Sequence, residues 1–226
     1  MPTLRNSIRW ELAILLILLN LRSQAQVPSP PQEFSADIVR RDAGGAASGP
    51  VAKLHVSRQK TRIDSVDAPG GFFITDGDAG TAFFVRPAQH VYMDAKQSTP
   101  LTQIFVPVDP QDPCRQWETA ARIAGAAIAP DWQCTRTGTT MIENHPLFEY
   151  QVLSPGHTSS QRWIGSALGF PVRSQAADGS TLSLENIRIE SQPLSLFSVP
   201  PDYRKLDPQA LIERIKHSDV WADPGS

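Results

Sequence analysis

From Phe34 onward the apolar residues recur at every second position, the period of a β-strand and not of a helix. Phe34, Ala36 and Ile38 alternate with Ser35, Asp37 and Val39. After a Gly/Ala/Ser-rich loop at 43–50, Ala52, Leu54 and Val56 alternate with Lys53, His55 and Ser57, and the pattern resumes through Lys60–Val66. Three antiparallel strands are the economical reading. Phe72–Thr75 and Thr81–Val85 then flank Asp76-Gly77-Asp78-Ala79-Gly80, whose glycines can take the positive φ that a hairpin turn requires. His90–Ala95, reached through the Arg86-Pro87 turn, predicts the next strand.

The period changes once. Asp112-Pro113 reads as a helix start, with Asp at the N-cap and Pro at the first helical position, where its missing N–H costs nothing. The spacing predicts a helix to about Ile128, before Pro130. Trp117, Ala121, Ala124 and Ile128 share one face, and Glu118 and Arg122 stand at i,i+4. That slim, alanine-rich face suits packing against a sheet better than lying on a membrane. Beyond Cys134 the strand period returns in Phe148–Leu153, Gln161–Ile164, Phe170–Gln175 and Thr181–Ile189, with Ala177-Asp178-Gly179-Ser180 as a hairpin turn. Leu194, Leu196, Phe197 and Val199 form an apolar plug ahead of Pro200-Pro201. A second Asp-Pro pair, Asp207-Pro208, predicts a short helix to about His217, with Leu211 and Ile215 on one face.

The N-terminus follows other rules. Arg5 and Arg9 precede the apolar run Leu12–Leu19, and Ser23-Gln24-Ala25 places small residues at −3 and −1 of a cut before Gln26. The apolar core is about ten residues, short of the roughly 20 that a spanning helix needs, so a cleavable export signal is preferred over a retained anchor. The chain divides into a signal at 1–25, a Pro-rich spacer at 26–33, a folded domain at 34–203 and a C-terminal helix and tail at 204–226. A periplasmic or extracellular location follows.

An apolar share of 40% in 226 residues argues against wholesale disorder. The formal charge is −2, and removing Arg5, Arg9, Arg22 and Glu11 with the signal takes it to −4. No clustered Lys and Arg offers a footprint for a phosphate backbone, so nucleic acid is disfavoured as a partner. The two cysteines, Cys114 and Cys134, form an even count in an exported chain, which argues for a disulfide. Metal ligation and redox catalysis are the weaker readings, since neither C-x-x-C nor a nearby His accompanies them.

Catalytic motifs are missing. The nearest approach to a nucleophile elbow, Gly165-Ser166-Ala167-Leu168-Gly169, has the wrong order. His55, His90, His145, His157 and His217 are scattered without metal-ligand spacing, and there is no phosphate-binding glycine loop. The Asp76–Gly80 cluster resembles part of a calcium loop but lacks the terminal Glu, so a plain turn is preferred. No catalytic residue, metal ligand or cofactor is expected. Phe72-Phe73 and Phe83-Phe84 must send one ring to each sheet face, so both faces are partly apolar. Either both are core, or one covers a ligand.

Val51–Met93 resembles the first half of the LolA-like superfamily, the periplasmic carriers and sorting proteins of outer-membrane lipoproteins. The pattern is Val56-Ser57-Arg58, Lys60-Thr61-Arg62-Ile63-Asp64, Ile74-Thr75-Asp76-Gly77, an aromatic strand, and a Pro turn into Val91-Tyr92-Met93. Trp163, Phe170-Pro171-Val172-Arg173, Leu184-Glu185-Asn186-Ile187 and Leu196-Phe197-Ser198-Val199-Pro200 extend it over most of residues 34–203.

The resemblance implies a mainly β fold with some α: a curved antiparallel sheet, an unclosed half β-barrel, with a helix over its concave face. It implies a carrier that holds the acyl chain of a lipid or a lipidated protein in an apolar groove, without enzymatic chemistry. Ile38, Leu54, Val56, Ile74, Phe84, Met93 and Trp163 are the expected lining, with Arg62, at the carriers' strand arginine, as gate or headgroup contact. A disulfide bracketing the helix would restrict a moving lid. The alternative is a structural or sensing module on the same fold, with a filled core and a protein partner.

Overall fold

The alternating segments become one sheet. The computed structural model describes residues 33–95, 101–123, 132–142, 145–154 and 158–207. The signal, the spacer through Gln32, the helix end expected near Ile128 and the helix expected beyond Asp207 lie outside the described residues. Six strands come first: β1 (Phe34–Arg41), β2 (Ala47–Ser57), β3 (Lys60–Ser65), β4 (Phe72–Asp76), β5 (Thr81–Arg86) and β6 (Val91–Asp94). Two helices follow, α1 (Leu101–Ile104) and α2 (Pro113–Ile123). The chain then forms β7 (Gln133–Ile142), β8 (His145–Ser154), β9 (Thr158–Gly165), β10 (Phe170–Gln175), β11 (Thr181–Ile189) and the short β12 (Arg204–Lys205).

The strand order is β12-β6-β5-β4-β3-β2-β1-β11-β10-β9-β8-β7. Each half is an antiparallel meander, and the two are joined where β1 pairs with β11, Ile38 opposite Leu184. Only β12 runs parallel to its neighbour, docked on β6 by Arg204 N–H to His90 O (2.9 Å) and Leu206 N–H to Tyr92 O (2.7 Å). The sheet is unclosed, with β12 and β7 at its edges. Ten strand steps separate β6 from β7, a width of about 48 Å at roughly 4.8 Å per step in a flat sheet. The connection between them must therefore cross a sheet face, and α1 and α2 lie in it. This is a curved, mainly β half-barrel with helices packed on it.

Three apolar clusters fill the two faces. On the concave face Phe34, Ile38, Leu54, Val56, Ile63, Phe73 and Phe170 pack with Leu101 of α1 and with Phe105. Phe34 meets Phe170 edge-on at 5.3 Å between ring centroids. Farther along that face, Trp117 of α2 packs on Tyr150, Val152 and Ile164. On the convex face Phe72, Ile74 and Val85 are covered by Phe197, Leu196, Val199 and Tyr203, so the apolar plug is a strap across β4 and β5. Phe72 and Phe73 point to opposite faces, and both faces carry core.

Glu33 fastens the start of this strap. Its carboxylate accepts hydrogen bonds from Ser57 Oγ (2.7 Å), Gln192 N (3.0 Å) and Ser191 Oγ (3.3 Å). The Gln192 amide and the Ser57 hydroxyl hold its carboxyl below the ordinary glutamate range.

The sequence reading differs from the fold in three places. β2 starts at Ala47, inside the expected loop, with irregular register where Val39 meets Pro50 and Arg41 meets Ala47. α1 has no counterpart in the sequence pattern, because four residues are too few for helical periodicity to register. β7 has none either. Its sequence, Gln133-Cys134-Thr135-Arg136-Thr137-Gly138-Thr139-Thr140, is polar on both faces and carries only the β-branched threonines as a strand signal. By contrast, α2 begins at Pro113 as the Asp-Pro pair predicts.

The Asp76–Gly80 segment is the turn between β4 and β5. Asp76 Oδ1 accepts from the Asp78 N–H (3.1 Å) and the Ala79 N–H (3.0 Å), and Gly80 takes φ +62°. Cys114 and Cys134 form a disulfide with Cα atoms 5.7 Å apart, tying the first turn of α2 to the edge strand β7.

Candidate functional site

The strand pairings place each expected lining residue on one face or the other. Leu54, Ile63, Phe73, Phe84 and Met93 form one cross-strand row on the concave side. Ile38 and Val56 share that face, and together with Leu54 they are shut off from solvent in the concave core. Phe84 and Met93 are half-buried beside it.

Ile74, Arg62 and Trp163 belong to the convex side. Ile74 lies under Phe197 in the strap cluster. Arg62 stands opposite Ile74, pairs with Asp64 at 2.8 Å and stacks over Phe72 at 3.5 Å from the ring centroid. Trp163 pairs with Glu149 and Arg173, and the Arg173 guanidinium sits 4.9 Å from its ring centroid. The eight residues therefore do not converge on one groove. The cause is the two-residue period: both faces carry apolar side chains, and composition does not tell which face the helices cover.

Of the cavities among the described residues, two on the concave side stand out. The larger, about 790 Å³, lies between α1 and the ends of β1, β2, β10 and β11. Phe73, Leu101, Ile104, Ala68 and Leu182 give it an apolar floor, and Arg40, Arg41, Asp42, Asp67 and Asp178 stand around it. The smaller, about 240 Å³, lies between the β4–β5 hairpin and α2, with Thr75, Asp76, Thr102, Arg115, Gln116 and Thr119 in its wall. None of the eight expected residues lines either one.

The charges around the large groove are unequally committed. Asp42 Oδ1 accepts from the Ala46 N–H at 2.9 Å, and Asp178 Oδ1 accepts from the Ser180 N–H (2.9 Å) and Oγ (2.6 Å), so both carboxylates cap hairpin turns. Arg41 pairs with Glu185 at 2.5 Å. Arg40 enters no ion pair among the described residues.

The ladder runs on past the last groove-lining residue on this row, Ser174. Arg40 of β1 stands opposite Leu182, Leu182 opposite Ser174, and Ser174 opposite Arg162 of β9. Arg162 turns under α2, with its guanidinium 4.4 Å from the Trp117 ring centroid. Its Nε and Nη1 are buried without a hydrogen-bond partner, and burial pulls its pKa down to about 10. Sequence reasoning missed this residue, although a signal was present. Arg162 shares the inward phase of Ile164, which places a cation on the apolar face of the strand.

No family model matches the chain, and no curated protein matches its sequence. Solved structures resemble it remotely. An uncharacterised conserved protein from Thermus thermophilus is 9% identical with a TM-score of 0.44, over 77% of this chain and 90% of that one. PNGF-II is 9% identical with a TM-score of 0.49 over 82% of this chain, which spans 33% of PNGF-II. A LolA superfamily protein from Nitrosomonas europaea is 11% identical with a TM-score of 0.34, over 76% of this chain and 92% of that one.

Proposed function

We propose that this chain is an exported, non-enzymatic binding protein that holds the acyl chain of a lipid or of a lipidated protein in the groove between α1 and the sheet. The observation that carries the reading is the 790 Å³ groove floored by Phe73, Leu101, Ile104, Ala68 and Leu182. Its size falls in the range of small-ligand pockets, about 300–1,000 Å³, and its apolar floor offers a chain-binding surface inside a rim of polar and charged side chains. Each acyl methylene buried there gains about 0.8 kcal/mol, so eight would supply about 6 kcal/mol before ordering costs are subtracted. An open groove of this kind binds without a covalent step. Export remains part of the proposal, resting on the signal at 1–25.

The filled centre of the concave face favours a second reading. Phe34, Phe105 and Phe170 occupy the place where a deep acyl tunnel would run, as a protein-interaction module without a ligand would have it.

Delipidated protein titrated with a fluorescent fatty acid, together with mass spectrometry of lipids that co-purify, separates the two. Saturable uptake is expected, and Ile104→Asp, at a half-buried floor position, should weaken it at least tenfold. Absence of both uptake and co-purified lipid overturns the carrier reading in favour of the interaction module.

A further inference from the structure

The buried polar groups that lack a partner gather at one helix. Among the described residues four such side-chain atoms occur: Gln116 Oε1 and Trp117 Nε1 on α2, and Nε and Nη1 of Arg162 beneath it. The Arg162 guanidinium lies 4.4 Å from the Trp117 ring centroid, so the seated helix is what covers it. A buried polar group without a partner forfeits its hydration and gains nothing in return, and a charged one forfeits more. Seating α2 therefore works against itself.

Little else among the described residues holds the helix down. Trp117 and Cys114 are its contributions to the cluster with Tyr150, Val152 and Ile164. Its ion pairs, Asp112 with Arg115 and Glu118 with Arg122, join the helix to itself and do not reach the sheet. Just before it, Tyr150 Oη donates to Pro110 O (3.1 Å) and Gln111 O (3.2 Å), which fixes one point. The Cys114–Cys134 disulfide fixes a second point on β7. Two fixed points set the direction of a rod, whereas one leaves a pivot.

We propose that α2 is a redox-latched lid: reduction of the Cys114–Cys134 disulfide by a dithiol lets the helix swing about Pro110–Gln111, off Arg162, and uncovers Tyr150, Val152 and Ile164. One thiolate of the dithiol attacks a cysteine sulfur and breaks the S–S bond, forming a mixed disulfide while the other cysteine leaves as a thiolate and takes up a proton. The second thiol of the reductant then displaces the remaining cysteine, so two electrons and two protons pass to the cysteines and the dithiol departs as a disulfide. Both cysteines are partly exposed, as the attack requires. The large groove under α1 takes no part, so the lid stands apart from the carrier reading.

Amide exchange by mass spectrometry tests it on the oxidised chain, on the chain under excess dithiothreitol, and on the Cys114→Ser/Cys134→Ser variant. Exchange in α2 is expected to quicken about tenfold or more in the second and third samples, with β1, β2 and β11 unchanged. Gln116→Leu and Arg162→Met remove unpaired atoms from the two sides of the seat, so each should cut that gain by about half or more in the reduced chain. Should Arg162→Met fail to fold by circular dichroism, Gln116→Leu carries this arm. A disulfide that resists dithiothreitol in the folded chain overturns the switch, and so does unchanged α2 exchange after reduction. Equal quickening in α2, β1 and β11 means that the whole fold loosens, and overturns the lid. A gain that both variants leave undiminished overturns the unpaired groups as its driving force.

Discussion

Arg162 sets burial against charge in a single side chain. At neutral pH it is charged in both the folded and the unfolded chain, but burial lowers its pKa in the fold to about 10. A depressed cation pKa means that the folded state disfavours the charged form, so folding carries a cost at pH 7 that is relieved only as the pH rises through about 10. Contact with the Trp117 ring offsets part of that cost. An apolar side chain of similar length removes that desolvation cost while keeping the packing of the stem. Arg162→Met is accordingly expected to raise the urea midpoint of the ligand-free protein at pH 7, at an unchanged denaturant slope. A lowered midpoint would mean that the stacking of Arg162 on Trp117 outweighs the cost of its burial.

At the scale of elements, the decisive one is α2, fixed by two unlike devices. Trp117 seats it on Tyr150, Val152 and Ile164, and the Cys114–Cys134 disulfide ties its first turn to β7. With the two cysteines 20 positions apart, the cross-link stabilises the native state by about 3 kcal/mol in the chain-entropy model. Reduction should lower the unfolding free energy by that amount in paired denaturation curves with and without reductant. No change would show that β7 and α2 hold each other unaided. The elements also show what the sequence made legible. Strands with one apolar phase, such as β1 and β2, and the Asp-Pro start of α2 were readable because each rests on a local rule of period or capping. β7 was not, since its threonines and Gly138 leave neither face apolar and its place comes from pairing with β8. The site was less legible than the fold. Ile38, Leu54 and Val56 do face inward, but the same apolar look put Ile74 and Trp163 on the wrong side, because face assignment depends on which surface the β6–β7 crossover covers. Arg162 shares the inward phase of Ile164, a signal present in the sequence, but its stacking on Trp117 shows only once α2 is placed on the sheet.

The molecule as a whole is one open sheet made of two meanders sewn together at β1 and β11, residues about 145 positions apart along the chain. Each seam strand is also paired on its other side, β1 with β2 and β11 with β10, and has the concave core beneath it, with Phe34, Ile38 and Leu184 all buried. The edges have neither advantage: β12 contributes two exposed residues and β7 is exposed along much of its length. Local opening costs least where buried apolar contacts are few and backbone bonds face water, so protection should grade from the edges inward. Amide exchange by mass spectrometry is expected to release β7 and β12 first and β1, β2 and β11 last, at rates approaching global unfolding. Reduction of the disulfide should speed exchange in β7 and leave the seam unchanged, since the cross-link restrains one edge only. A ligand seated in the larger groove lies against the ends of β1, β2, β10 and β11. It should therefore slow exchange in β10 and β11 together without protecting β5 and β6. Protection confined to β4–β6 would place the ligand in the smaller cavity beside Thr75 and Gln116 instead.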